Sequence, residues 1–238
     1  GGAEQIGNSD ILSYGSGTAG FMDAPARTSN SLSGTDWMIL KINPTGSAVE
    51  VFTFFSCNPG YGLEQANCLS LSPSGNSVFV GGLLSNGTMP ALSAGYQSNT
   101  SFGDSYITNA GGSAGIGVPA IAVFDGALTK LKYRTVIGQH DMDHGSIASI
   151  EALDDNTFIF GATVQDLKRG AGGVPWGTGP GRDFTGYNAI YIGKFSSFNQ
   201  RVWGTYIGGD GGNELFDLRL TSVGNIAFCG TCASSKSA

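Results

Sequence analysis

The chain has 238 residues, 40% hydrophobic and 11% aromatic, which is enough to bury the core of one large domain or of several stacked repeats. Charged residues are only 13%, about half the roughly 25% of an average soluble domain, while 39 glycines are spread among aliphatic and aromatic runs instead of being gathered in a linker. Twelve Lys and Arg against 18 Asp and Glu give a net charge of -6 with no basic stripe, which argues against a nucleic-acid partner; no apolar run reaches the roughly 18 residues of a membrane span.

The chain opens Gly1-Gly2-Ala3 with neither an initiator Met nor a signal peptide and closes on a Ser-rich tail, as expected of a processed product or a fragment. Gly1 to Gly7 is too short and polar to supply a strand. Asp10 to Gly15 is the first strand-like run, and Ser16 to Thr35 is an insertion. Trp37 to Ile42 and Val49 to Phe54 then form a hairpin around Asn43-Pro44-Thr45-Gly46-Ser47, a turn whose Asn and Gly suit local hydrogen bonding and positive φ.

The pattern now repeats. Ala66 to Ser72 alternates apolar with small or polar residues, the period of a half-buried strand, and a Pro/Gly turn leads to Val78-Phe79-Val80-Gly81-Gly82. After the insertion Leu84 to Pro119 come Ala120 to Phe124 and Leu131 to Val136. Ser146 to Leu153 and Phe158 to Gly161 restart the series around Asp154-Asp155-Asn156. The insertion Val164 to Asn188, Ala189 to Phe195 and Val202 to Ile207 complete it. Leu215 to Thr221 and Ile226 to Gly230 start it once more. Each unit is four strands, a to d, with d starting at Val49, Leu131 and Arg201.

Internal repetition at this scale signals one supersecondary unit stacked on copies of itself. Without its insertions the unit shrinks toward the roughly 40 to 50 residues of a propeller blade, so the expected fold is all-β: a β-propeller of four-stranded antiparallel blades, about three to four in this chain. One domain, 1–238, is expected, with blade units at about 8–56, 62–138, 145–209 and 213–238. The chain supplies b-c-d, a-b-c-d twice, then a-b. It begins and ends inside a blade, so the propeller is expected to be part of a larger one or to be completed by a partner, because an open edge is an aggregation hazard.

The stretches Asp36 to Ala48 and Trp203-Gly204-Thr205-Tyr206-Ile207-Gly208-Gly209-Asp210-Gly211-Gly212-Asn213-Glu214 resemble the SBBP-type β-propeller repeat of large secreted or surface bacterial proteins. The likeness covers most of the chain outside the insertions. It implies an extracellular or cell-surface module, structural or binding, with no shared catalytic site. Ile137-Gly138-Gln139-His140-Asp141 and Ser56-Cys57-Asn58-Pro59 depart from the Gly-rich loop usual there.

Strand direction brings the b-c insertions and the d-a loops to one face, the candidate functional surface, because loops on a rigid scaffold are the common address of binding. Tyr96, Phe102, Tyr106, Trp176, Phe184 and Tyr187 stand there among Gly, Ser, Asn and Thr. Such rings suit contacts with a glycan or a protein, or they pin down their own loops. His140, Asp141, Asp143 and His144 have the donors for a transition metal or, through the carboxylates, for calcium. The alternative is a solvated turn capped by its Asp side chains; no cofactor is otherwise expected. Asp210, Asn213 and Glu214 form the corresponding loop one unit later and read as a structural turn.

Cys57 and Cys68 flank a Pro/Gly turn and are candidates for a local disulfide. Cys229 and Cys232, three apart in an extended strand, sit roughly 10 Å apart, too far to bridge unless Gly230 turns the chain. Asn86-Gly87-Thr88 and Asn99-Thr100-Ser101 match glycosylation sequons, a pattern common by chance. There is no Gly-x-Ser-x-Gly in a strand-turn-helix context, no phosphate loop and no HExxH; Gly111 to Gly117 lacks the βαβ setting of a dinucleotide site. A non-catalytic extracellular module is therefore the first expectation, a structural subunit of a surface filament or multi-subunit assembly the second, and a polysaccharide-acting enzyme using Asp141, Asp143, Asp166 or Asp183 the third. Its partners would be a protein or glycan at the loop face and, at the blade edges, a neighbouring subunit or the rest of a longer chain.

Overall fold

A computed structural model describes residues 37–55, 64–84, 87–88, 106–107, 117–137, 145–165, 188–198 and 200–233. Regular structure among them is entirely antiparallel β, and no helix there is long and apolar enough to cross a membrane. The strands are β1 (Trp37–Ile42), β2 (Val49–Phe55), β3 (Gln65–Leu71), β4 (Ser77–Leu84), β5 (Gly87–Thr88), β6 (Tyr106–Ile107), β7 (Val118–Asp125), β8 (Leu131–Val136), β9 (Gly145–Ala152), β10 (Phe158–Gln165), β11 (Asn188–Ser196), β12 (Gln200–Ile207), β13 (Asn213–Leu220) and β14 (Ile226–Cys232).

They make four main sheets in chain order. Sheet I is β1-β2, sheet II is β3-β4-β7-β8, sheet III is β9-β10-β11-β12 and sheet IV is β13-β14; β5 and β6 form a two-residue ladder of their own. Sheets II and III are thus complete four-strand units, whereas sheet I holds third and fourth strands and sheet IV first and second strands. The sequence did not foresee the β5-β6 ladder, and strand ends differ from expectation: most by one or two residues, as where β12 starts at Gln200 and β13 at Asn213, while β10 runs on to Gln165, four residues past the expected Gly161 and into the stretch read as an insertion.

Alternating side chains bury both faces of β4 and β10, the second strands of the middle sheets. On β4, Val78 and Val80 point toward sheet I and Phe79 toward sheet III; on β10, Phe158 and Phe160 point back to sheet II and Ile159 on toward sheet IV. Sheet I docks by burying Trp37, whose ring lies 5.1 Å from Phe55 and whose Nε1 donates to the Leu83 carbonyl at 2.9 Å. The largest core lies between sheets II and III, where the Phe158 and Phe195 rings stack at 5.7 Å and Tyr191 meets Tyr206 at 5.0 Å. Each such ring, fully buried, contributes roughly 1.5–3 kcal/mol relative to exposure. Backbones of neighbouring sheets come closest along the first strands: β9 packs on β3 and β4, and β13 packs on β9 and β10.

Strand a was expected to alternate strictly, and it does not. Each a-b pair carries a bulge at the same place: Asn67, Ala148 and Phe216 are extra residues, since Ala66 and Cys68 face Gly82 and Gly81, Ile147 and Ser149 face Ala162 and Gly161, and Leu215 and Asp217 face Gly230 and Cys229. The bulge shifts the period, so Leu215 and Leu218 are both buried although three residues apart. Each c-d pair has its own bulge, with Glu50, Lys132 and Val202 as the extra residues. Gly82 and Gly230 occupy equivalent places, and at each a Cβ would collide with the carbonyl of Gln65 or Glu214 across the bulge; sheet III has Ala162 in that place.

Candidate functional site

Strand register decides where the loops emerge. β4 pairs with β7 as far as Leu84 opposite Val118, and β10 with β11 as far as Gln165 opposite Asn188, so the insertions 85–117 and 166–187 leave the sheets at one end. β8 and β12 finish at that same end, with Val136 opposite Ala120 and Ile207 opposite Ile190, and β9 and β13 begin there. The connections 138–144 and 208–212 therefore share it.

Hydrogen bonds frame this rim. Ile137 donates its N–H to Pro119 at 2.8 Å, and Gly145 donates to Gly117 at 3.0 Å, which ties the start of sheet III to the third strand of sheet II. Asn213 holds the loop of the next unit. Its buried side chain donates to the carbonyls of Asn188 at 2.5 Å, Gly209 at 3.0 Å and Gly211 at 2.9 Å, while its Oδ1 accepts the Gly209 N–H at 2.9 Å. A buried amide so fully used is an anchor, and Asp210 and Glu214 beside it are exposed. Thr163 adds a further tie by accepting the Leu215 N–H at 3.0 Å.

Of the residues expected to bind a ligand, Tyr106 falls in β6, where it pairs with Thr88. Tyr96, Phe102, Trp176, Phe184 and Tyr187 lie outside the described residues. So do His140, Asp141, Asp143, His144, Asp166 and Asp183; among the described residues no group of three or more His, Cys, Asp or Glu could hold a metal ion. Cys68 is a free, half-buried thiol whose Sγ donates to the Gly81 carbonyl at 3.5 Å, and Cys57 is outside the described residues. Cys229 and Cys232 are free and exposed on β14, which keeps the extended form that separates them.

The opposite end carries a polar junction that sequence reasoning missed. Asp155, at the a-b turn of sheet III, accepts hydrogen bonds from Ser74 Oγ and, at 3.3 Å, from Asn76 Nδ2 in the corresponding turn of sheet II; its own carbonyl accepts from Ser77 Oγ at 2.9 Å. The Ser72 and Ser74 hydroxyls, Asn76 and the Lys132 ammonium hold the Asp155 carboxyl below the ordinary range. Asp154 is held low as well, chiefly by the Asn156 N–H at 2.7 Å. Lys132 donates to Ser77 Oγ at 2.5 Å and lies 5.9 Å from the Phe198 ring, which stacks on Tyr133 at 5.0 Å. Burial pushes the Tyr133 and Tyr191 phenols and the Cys68 thiol up to about 12. These displaced groups serve turns and cores; they do not converge on a cleft.

The chain matches no protein-family model and no curated protein.

Proposed function

We propose that this chain is a β-propeller module of the SBBP-like kind, extracellular or on a cell surface, which binds a protein or a glycan through its loop end without catalysing a reaction. The observation that carries the reading is the shared exit of the insertions 85–117 and 166–187 from sheets whose strand order and bulges repeat. A repeating frame with variable sequence at one end is how binding surfaces are built on β scaffolds. The close approach of first strands β3, β9 and β13 is what a central axis requires, and the low charge of 13% suits a surface kept soluble by Ser, Thr, Asn and backbone.

Replacing 85–117 and 166–187 by short Gly/Ser connections tests this. Glycan-array or surface-protein capture should be lost while the far-ultraviolet spectrum is kept. Capture that survives both replacements, or intact protein that captures nothing, removes the loop end as a binding surface. Turnover of a polysaccharide that disappears on Asp→Asn exchange at Asp141, Asp143, Asp166 or Asp183 would replace the module with an enzyme. The second reading, a structural subunit, is favoured by the two half-sheets at the ends of the stack.

A further inference from the structure

Sheets I and IV are complementary halves of one unit. Among the described residues, sheet IV has strands a and b, with β14 bonded to β13 alone, and sheet I has strands c and d, with β1 bonded to β2 alone. In sheets II and III the b-c joint between these halves is long and regular: Val78, Val80 and Gly82 face Phe124, Ala122 and Ala120, and Phe158, Phe160 and Ala162 face Phe195, Gly193 and Tyr191.

From this register we infer that β14 of one chain pairs antiparallel with β1 of a second copy, completing a four-strand sheet β13-β14-β1-β2 across the two molecules. The recurring bulges fix the alignment: Ile226 falls opposite Ile42, Phe228 opposite Leu40 and Gly230 opposite Met38.

Exposure at both ends fits this joint. Met38, Leu40 and Ile42 are 52%, 38% and 56% exposed, whereas the equivalent Ala120, Ala122 and Phe124 are fully buried, as are Tyr191 and Phe195 in sheet III. Phe228 is 43% exposed where its equivalent Phe160 is wholly buried. Leu69 and Leu71 on β3 are exposed too, on the face that β9 and β13 pack against the first strands of the sheets before them. In the joint the second copy's β1 and β2 would extend over Trp203 and Ile207, which are half-buried on sheet III, while β13 and β14 would lie against Leu69 and Leu71 of the second copy.

β14 also lacks the usual protection of an edge. Ile226-Ala227-Phe228-Cys229-Gly230-Thr231-Cys232 has no charge and no proline, so it is a ready template for another strand. On β1 the one charge is Lys41, already paired with Glu50 at 3.3 Å and brought opposite Ala227. A second copy is the occupant that the geometry specifies, because each chain bears both halves and the contact is head-to-tail. The joint does not depend on what the loop end binds.

Sedimentation velocity of the full chain over a wide concentration range, with Leu40→Lys and Phe228→Lys, tests it. The unaltered chain should associate into whole-number multiples, each variant alone should stay a single chain, and an equimolar mixture of the two should give a dimer of twice the mass and nothing larger, because one good end of each kind survives. A chain that remains single at every concentration overturns the proposal, as would happen if residues 10–15 of the same chain occupied the β1 edge. So does a variant that still assembles by itself. Both substitutions are at exposed positions, and a second measurement covers a failure to fold: a chain carrying both Ile42→Cys and Ile226→Cys, mixed with an isotopically labelled copy of itself, should give a mixed-label cross-strand disulfide on oxidation. A link found only within one chain rejects the second copy.

Discussion

The two middle sheets and the two end sheets use the same strand positions to opposite effect. Phe160 on β10 and Phe228 on β14 hold one place in the repeat, follow the same kind of bulge and face the same way, yet Phe160 touches Tyr191 and Phe195 at 5.8 and 5.3 Å while Phe228 is largely open. The residue type is identical and only the neighbours differ. Burial here is therefore a property of the stack, as expected where each repeat is stabilised by the one beside it.

The sharpest way to break this comparison is to truncate both rings. Phe160→Ala should cost about 3–5 kcal/mol in chemical denaturation and Phe228→Ala under about 1 kcal/mol in the dilute chain; equal losses would mean that sheet IV is packed as fully as sheet III. Asn213→Ala should come next, at about 2 kcal/mol, because it leaves several backbone groups of 208–212 and the Asn188 carbonyl unpaired. Its effect should be local: hydrogen exchange should speed up in β13 and β14 while β4 and β10 stay protected. Loss of protection throughout would mean that the end sheets and the middle sheets unfold as one unit.

A smaller effect probes the junction between sheets II and III. The carboxyls of Asp154 and Asp155 are depressed in the folded chain, so they contribute stability that is present above the ordinary carboxylate value of about 3.9 and is lost as pH falls through the depressed values. Asp155→Asn should flatten the pH dependence of stability below about pH 4 and change it little at neutrality. An unaltered acid limb in the variant would show that this junction does not couple the two sheets.

The last test changes no stability and sharpens the contrast chemically. With its pKa pushed up to about 12 by burial, Cys68 in sheet II should alkylate on the order of a thousandfold more slowly than an ordinary thiol, whereas Cys229 and Cys232 on β14, exposed in the dilute single chain, should react readily. Peptide mapping after brief iodoacetamide treatment distinguishes them, and comparable labelling of Cys68 would show that β3 and β4 are not closed over it.

The four-strand grouping could be read from the chain because hydrophobic runs and turn residues announce it. Asn43 and Asp125 both start a c-d turn and both accept two backbone N–H groups, Asn43 from Ser47 and Ala48, Asp125 from Thr129 and Lys130. The bulges could not be read. Asn67, Ala148 and Phe216 share no chemistry, since what they share is a place in the backbone ladder that has no side-chain signature. The Asp155 junction was hidden for another reason: its partners Ser74 and Asn76 sit a whole repeat away, and only the stacking of sheets brings them together. Of the residues expected at the loop end, Asn213 could be placed because a buried amide among glycines is explained by backbone geometry, whereas the aromatic and His/Asp candidates belong to stretches whose sequence carries no period.

Leu84 facing Val118 and Gln165 facing Asn188 have one more consequence. Ladder pairing runs right up to the point where each insertion departs, so the mouth of the loop is held shut by the sheet, whatever is strung across it. Chain entropy rises only with the logarithm of length, so the difference in closure cost between segments as unequal as 85–117 and 166–187 is ~0.4 kcal/mol. Such a mouth is a socket: one segment can be exchanged for another of unrelated composition, by evolution or by grafting, with the sheets beneath left as they are.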